Sequence, residues 1–275
     1  MSLSLHNKQK VKRLVSLAYR RLGLNGAQHL SIILNYHSIH PTHHSSTRPE
    51  DFLAQMAFLK EHFAVISLRG FFEARAANRT LPGKVAMITF DDGYRDNYDY
   101  AFPVLQELGL TATVFLATGF IDGELDITRE WGDYQGLDHL NWRQVKEMNE
   151  NGLHIGAHTH THSILSRLSS DEVEKEIFQS KHIIEEKLGE RVSHFAYPLG
   201  QPHTFERSVV DVLRRHGFDL ACSTIWGTDN RRTDMFALRR IRIDVDDSIA
   251  DFINKVYGAW DFVRYFQVLR AYGSR

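Results

Sequence analysis

The sequence predicts an α/β protein made of parallel βαβ units, closed as a barrel or open as a doubly wound sheet. Short apolar runs alternate with helix-period patterns from Leu30 almost to the C-terminus. A length of 275 residues with 43% hydrophobic and 24% charged residues is enough for one large α/β domain or two small ones. No glycine-rich phosphate loop follows any of the apolar runs, which weighs against a nucleotide-binding open sheet.

Taken in order, Ser31–Ile39 reads as a strand, and a helix spans about Arg48 to Phe63 with Pro49 at its start. Lys84–Asp91 is a strand, Tyr98–Leu108 a helix and Thr111–Ala117 a strand. Asn141–Asn151 is helical and stops at Gly152; His154–His158 is a short strand. Ser169 and Ser170 offer caps for a long helix to about Leu188, ended by Gly189. Strand Ser193–Pro198, helix Phe205–His216, strands Ala221–Ser223 and Ala237–Ile243, and helix Ser248–Val256 complete the alternation. The aromatic residues of Trp260–Tyr272 fall at helical spacing and are expected to pack on the core. One long irregular stretch, Gly119–Leu140, carries six acids and Trp131, and loops of that length in compact domains are usually functional or disordered.

The near-zero net charge of −1 hides an asymmetry. Residues 1–49 hold seven Lys/Arg and no acid, so a basic segment joins an acidic remainder. Val11, Leu14, Val15, Ala18 and Leu22 share one helical face, with Lys10, Arg13, Arg20 and Arg21 largely off it. Residues 1–28 are therefore read as a basic amphipathic N-terminal helix and residues 29–275 as the barrel with its C-terminal packing helix. The N-terminal helix either packs on the domain with a solvated basic face or meets anionic lipid through residues 8–22. No apolar stretch reaches the ~18 residues a membrane span needs. The run after Arg13 is broken by Arg20 and Arg21, so no signal peptide is read and a cytoplasmic protein, at most at the inner membrane surface, is expected. The basic residues are not spread over a nucleic-acid face. The single cysteine, Cys222, excludes a disulfide framework and a Cys-rich zinc module, and reads as a small buried apolar residue. Any metal must be held by carboxylate and by some of the 16 histidines.

The chemistry-bearing residues sit where strands end. Asp91-Asp92-Gly93 closes one strand, and adjacent carboxylates there point in different directions, so one can bind a metal while the other faces substrate. The same tripeptide also suits an ordinary turn. His158 closes another strand and His162 lies four residues on, with His160 left to solvent or the loop. Two imidazoles and one carboxylate suffice for a catalytic Zn²⁺ or similar ion with open positions for water. Phe195-Ala196-Tyr197-Pro198-Leu199-Gly200 ends a third strand in a tight turn that exposes a backbone N–H, the donor an oxyanion needs.

Together, Thr89-Phe90-Asp91-Asp92-Gly93, His158-Thr159-His160-Thr161-His162 and Phe195-Ala196-Tyr197-Pro198-Leu199-Gly200 resemble, in order and spacing, the motifs of the polysaccharide deacetylases (carbohydrate esterase family four, the NodB-homology domain). Asn35-Tyr36-His37-Ser38-Ile39 and Leu238-Arg239-Arg240-Ile241 extend the likeness to about residues 31–245. The resemblance implies a distorted (β/α)7 barrel and removal of N-acetyl groups from amino sugars, whether polysaccharide, oligosaccharide or lipid-linked precursor. It implies Asp92, His158 and His162 as ligands of a divalent metal, Zn²⁺ first, with Co²⁺, Ni²⁺ or Fe²⁺ as alternatives. Asp91 matches the general base, and the Leu199 N–H the oxyanion donor; Tyr197 and Trp131 are taken as substrate-binding residues.

Two positions depart from the family pattern. Where many members place a base-orienting Arg, this chain has Ala196, and Arg240 is the substitute, with a structural salt bridge as the competing reading. Where many members have a C-terminal Leu-x-x-His that supplies the general acid, this chain reads Ile241-Arg242-Ile243-Asp244. His37 is the first candidate for that acid, then His203, then Asp244. A sugar-binding pseudoenzyme and a hydrolase of a small cyclic amide stand as the alternatives to the deacetylase.

Overall fold

The computed structural model describes residues 30–123, 125, 135–229 and 232–273. Eight parallel strands form one sheet: β1 (Leu30–Tyr36), β2 (Ala64–Val65), β3 (Lys84–Phe90), β4 (Thr113–Leu116), β5 (His154–Ala157), β6 (His194–Ala196), β7 (Leu220–Trp226) and β8 (Leu238–Arg242). β1 pairs with β3 from Leu30↔Lys84 to Tyr36↔Phe90, and on its other side with β8 through Leu34↔Ile241 and Asn35↔Arg242. The β3–β4–β5–β6–β7–β8 ladder completes a closed ring of seven strands, as the family resemblance implies, and β2 is a two-residue addition beside β3.

Around the ring lie α1 (Pro49–His62), α2 (Leu68–Ala76), α3 (Phe102–Leu108), α4 (Trp142–Glu150), α5 (Ser170–Leu188), α6 (Arg207–Arg215), α7 (Ile249–Val256) and α8 (Val263–Gly273). Their ends follow local chemistry. Pro49 opens α1 with Glu50 and Asp51 in the first turn, where the helix dipole favours acids. Asn141 and Gln144 form a capping box on α4, as do Ser169 and Glu172 on α5 and Ser248 and Asp251 on α7. Gly189 ends α5 at φ 71°, a conformation costly for a residue with a Cβ. The sequence reading missed β2 and α2, although Ser67 caps α2 by accepting from the Gly70 N–H.

Period-2 alternation sorts the strand residues into two layers. Ile33, Met87, Phe115, Ala196, Leu220, Cys222 and Leu238 pack with Leu68 and Phe71 of α2 in one buried cluster, the barrel interior. Their neighbours Ile32, Leu34, Ala86, Ile88, Val114, Leu116, Phe195, Tyr197 and Ile241 belong to the larger cluster that the helices cover. Cys222 is fully buried inside, and burial pushes its thiol up to about 12, as an inert apolar residue requires.

The C-terminal segment departs from the expectation of core packing. Trp260 is buried and Val263 packs on the core, but Tyr265, Phe266 and Leu269 are 56%, 65% and 67% exposed. Aromatic spacing marked the helix; only its inner face packs. The proposed N-terminal helix, residues 1–28, and Trp131 lie outside the described residues.

Candidate metal centre

The interior face of the strands continues past the apolar cluster to the C-terminal end of the barrel, where active sites of such barrels form. Asn35 follows Ile33 on that face, Thr89 and Asp91 follow Met87, and Arg240 follows Leu238. Asn35, Asp91 and Arg240, with His37, Asp92, His158, His162, Leu199, Gln201, Thr224, Trp226, Arg242 and Gln267, line a cavity of about 330 Å³.

Asp92 sits at φ 73° and Gly93 at φ 76°. Two successive left-handed residues turn the chain sharply, so Asp91 and Asp92 diverge as the adjacency of two acids at a strand end predicted. Thr159 (φ 64°) and His162 (φ 58°) bend the histidine segment in the same way. That bend is clamped from α5: Glu176 accepts from the His160 N–H at 2.9 Å, the Thr161 N–H at 2.8 Å and Thr161 Oγ1 at 2.8 Å. His160 is turned away from the ligand pair, with its Nδ1 3.0 Å from Thr118 Oγ1.

Both ligand-candidate imidazoles converge on one oxygen. His158 Nε2 is 3.4 Å and His162 Nε2 3.3 Å from Asp92 Oδ1, and all three residues are buried. Donors held ~2.0–2.1 Å from one tetrahedral ion lie about 3.4 Å apart, which is the spacing found. His158 Nδ1 is 2.7 Å from the Ala196 carbonyl, a bond that puts the ring proton on Nδ1 and leaves Nε2 as an acceptor. A carboxylate oxygen facing two imidazole nitrogens calls for a positive charge between them, a metal ion or, without one, a proton; despite its burial, Asp91 and Asp92 raise the His158 imidazole. The residues present fit a divalent cation, and among the described residues this is the one such cluster of ligating side chains. Burial alone would raise the Asp92 carboxyl, but His162 and His158 beside it hold it well below the usual carboxylate range.

Asp91 is held differently. Arg240 donates Nη1 to Oδ1 and Nη2 to Oδ2, both at 2.7 Å, while Asn35 Nδ2 donates to Oδ2 at 2.9 Å. The fork-to-carboxylate geometry fixes the plane of the acid. Burial is the largest influence on Asp91 and raises it, yet Arg240, His158 and His37 together hold it below its ordinary value. Arg240 thus stands where the substitute for the missing motif arginine was expected, anchored further by Nε to the Ser223 carbonyl at 2.8 Å.

His37 lines the cavity, and burial lowers its imidazole despite the nearby Asp92 and Asp91. The loop that carries it is tied to the Asp91–Asp92 loop: Asn97 Nδ2 donates to the His37 carbonyl at 2.8 Å, and Asp96 accepts from Ser38 Oγ and from the Ile39 N–H. The other two acid candidates are not there. His203 is exposed and outside the cavity lining, and Asp244 pairs with Lys255 at 2.8 Å.

Tyr197 is a correction. It lies on the outer face, one residue out of phase with Ala196, where it is 1% exposed, stacks on Phe205 at 4.0 Å and donates its hydroxyl to the Phe236 carbonyl. It is a core residue, not a substrate contact. Its neighbour Leu199 does line the cavity, at φ 57°. Asn35, Trp226, Arg242 and Gln267 were missed from sequence. Of these only Asn35 left a signal, as the single amide in the apolar strand LSIILNY.

Comparison with known proteins agrees with this geometry. Residues 78–221, slightly more than half of the chain, match the family model described as polysaccharide deacetylase. The Bacillus subtilis (strain 168) protein YxkH is 27% identical over 212 residues, covering 77% of this chain and 70% of its own length. A Staphylococcus epidermidis poly-beta-1,6-N-acetyl-D-glucosamine N-deacetylase is 29% identical over 165 residues, 56% of this chain and 54% of that protein. Among solved structures, the Streptococcus pyogenes deacetylase PplD in complex with acetate superimposes with a TM-score of 0.70 at 26% identity, covering 82% of this chain and 98% of that one.

Proposed function

This chain belongs to the polysaccharide deacetylase family and is a carbohydrate N-deacetylase, and on that premise we propose that it hydrolyses the N-acetyl amide of an amino sugar with Asp91 as general base. The observation that carries the assignment is the convergence of His158 Nε2 and His162 Nε2 on Asp92 Oδ1 beside an Arg240-clamped Asp91.

Asp92, His158 and His162 would hold a divalent cation, which we assign as Zn²⁺ from the two-imidazole, one-carboxylate donor set. When bound it supplies Lewis acidity, lowering the pKa of water and polarising the amide carbonyl. Asp91 accepts the proton of the attacking water. Its Oδ1 carries one hydrogen bond against two on Oδ2, so Oδ1 retains the lone pair for that proton. Arg240 and Asn35 keep the carboxylate in one orientation during the transfer. The Leu199 N–H, which has no hydrogen-bond partner among the described residues, faces the developing oxyanion. His37 is the one histidine besides the ligand pair in the cavity lining among the described residues, and it protonates the leaving amine.

The substrate class follows from the family and from a cavity rimmed by Gln201 and Arg242, polar groups of the kind that suit a sugar. The basic segment at residues 8–22 supports a peripheral contact with an anionic membrane, which co-sedimentation of full-length and Δ1–25 protein with liposomes tests; equal binding by both rejects it. The function itself is tested by acetate release from N-acetylglucosamine oligomers. Release by metal-loaded enzyme that stops on chelation is expected. No release from any N-acetyl sugar with metal bound would reject the assignment.

A further inference from the structure

The pairing of β7 with β8 is irregular. Cys222 pairs with Leu238 and Trp226 with Arg240, so four residues of one strand are passed against two of the other. Such a bulge frees backbone groups that the ladder would have used, and leaving such groups buried without partners is costly. Here side chains take them. The Ser223 carbonyl accepts from Arg240 Nε at 2.8 Å, and Ser223 Oγ accepts from the Ile225 N–H at 3.2 Å. The Trp226 N–H donates to Gln267 Oε1 at 2.8 Å, and Gln267 Nε2 donates to the Thr224 carbonyl at 3.2 Å. One amide of α8 therefore clasps both ends of the bulge, in the manner of a missing strand.

The same bulge holds the Leu199 turn. The Thr224 N–H donates to the Gly200 carbonyl at 2.9 Å, and Thr224 Oγ1 donates to the Leu199 carbonyl. The turn needs that support, because Leu199 (φ 57°) and Gly200 (φ 56°) are consecutive left-handed residues and the first carries a Cβ. Such a leucine is strained and persists only where its surroundings fix it. The fit is close: a Cβ on Gly200 would lie 2.7 Å from the Thr224 nitrogen.

We propose that the Ser223–Trp226 bulge is a shared mount for the general base and the oxyanion donor, and that Gln267 is the positioning residue that holds it. Arg240 reaches from the Ser223 carbonyl to Asp91, and Thr224 reaches to Leu199, so movement of the bulge displaces both partners of the reaction together. Gln267 acts through Thr224 and touches neither the base nor the oxyanion donor. This inference rests on the roles given above to Asp91 and Leu199.

Gln267→Ala and Thr224→Val test it. Each is expected to lower kcat about tenfold with KM and bound metal within about twofold of wild type, since misplacing a reacting group costs rate rather than affinity. The double variant should be no slower than the slower single, because both act through one turn. Thr224→Ser, which keeps the hydroxyl, should retain wild-type kcat. Amide hydrogen exchange followed by mass spectrometry should show faster exchange in residues 199–201 and 222–226 of Gln267→Ala. Wild-type kcat and exchange in Gln267→Ala would overturn the proposal. So would a loss of kcat accompanied in both single variants by loss of metal or by unfolding, since that reports packing alone. If the wild type releases no acetate, the deacetylase assignment fails, and the exchange comparison still decides whether Gln267 holds the turn.

Discussion

Replacing Arg240 with Met keeps most of the side chain's length and removes its charge and its donors. Arg240 is fully buried and makes two 2.7 Å bonds to Asp91, one to the Ser223 carbonyl and a weaker one to Thr89 Oγ1 at 3.3 Å. Removing one partner of a buried pair leaves the other desolvated and uncompensated, which costs about 3–5 kcal/mol. Asn35 alone would then hold Asp91. The pH dependence has a definite sign. Burial raises the Asp91 carboxyl, and Arg240 is the first of the groups that bring it below its ordinary value. The stability that the pair contributes is thus present above the ordinary carboxylate pKa and lost as pH falls through the depressed one. In Arg240→Met the carboxyl rises, Asp91 stays protonated to higher pH, and the acidic limb of kcat/KM moves up. Urea denaturation followed by circular dichroism gives the first quantity, and acetate release against pH the second. A second substitution, Asp91→Leu, should restore part of the lost stability while leaving the enzyme inactive. A loss under about 1 kcal/mol together with an unmoved acidic limb would refute the reasoning.

Three further outcomes are expected. Stripping the divalent ion with a chelator should lower Tm as well as stop the reaction, since an ion at a thousandfold its Kd adds about 4 kcal/mol to the folded state, and His162→Ala should abolish the difference between loaded and stripped protein. Gly200→Ala should lower kcat and stability together, because the new Cβ meets the Thr224 nitrogen at 2.7 Å in a left-handed backbone; scanning calorimetry and acetate release read the two effects. Burial pushes the Asp229 carboxyl up to about 7, so the folded protein keeps that proton where the unfolded chain has lost it, and stability declines as pH rises from the ordinary carboxylate range to about 7 and levels off above it. Asp229→Asn should therefore flatten the Tm profile between about pH 4 and pH 7 and gain up to ~4 kcal/mol at the upper end of that window, one pKa unit being worth about 1.4 kcal/mol.

The residues legible in the sequence are those whose position follows from local rules. The Asp91-Asp92 and His158…His162 segments end strands, and strand ends of a parallel barrel gather on one face. Helix limits at Pro49, Ser169 and Gly189 followed from capping chemistry. Tyr197 was misassigned because its motif neighbours suggested the site, whereas the period of two places it beside Phe195 on the outer layer. Strand β2 and helix α2 are two and nine residues long, too short for their patterns to rise above those of a loop. Arg240 could be proposed from its strand end, but its bidentate contact with Asp91 spans 149 positions of sequence. Gln267 left no signal at all: its role depends on a bulge 41 residues away that only the β7–β8 register reveals.

The central claim divides the cluster into three ligands and one base that binds no metal. Metal content and kcat measured on the same preparation of Asp91→Asn separate these roles. Asparagine keeps an acceptor for Arg240 and cannot take a proton, so one ion per chain should remain while kcat falls by at least about a hundredfold. An Asp91→Asn protein that loses its metal, or one that keeps its metal and near-wild-type kcat, would contradict the account.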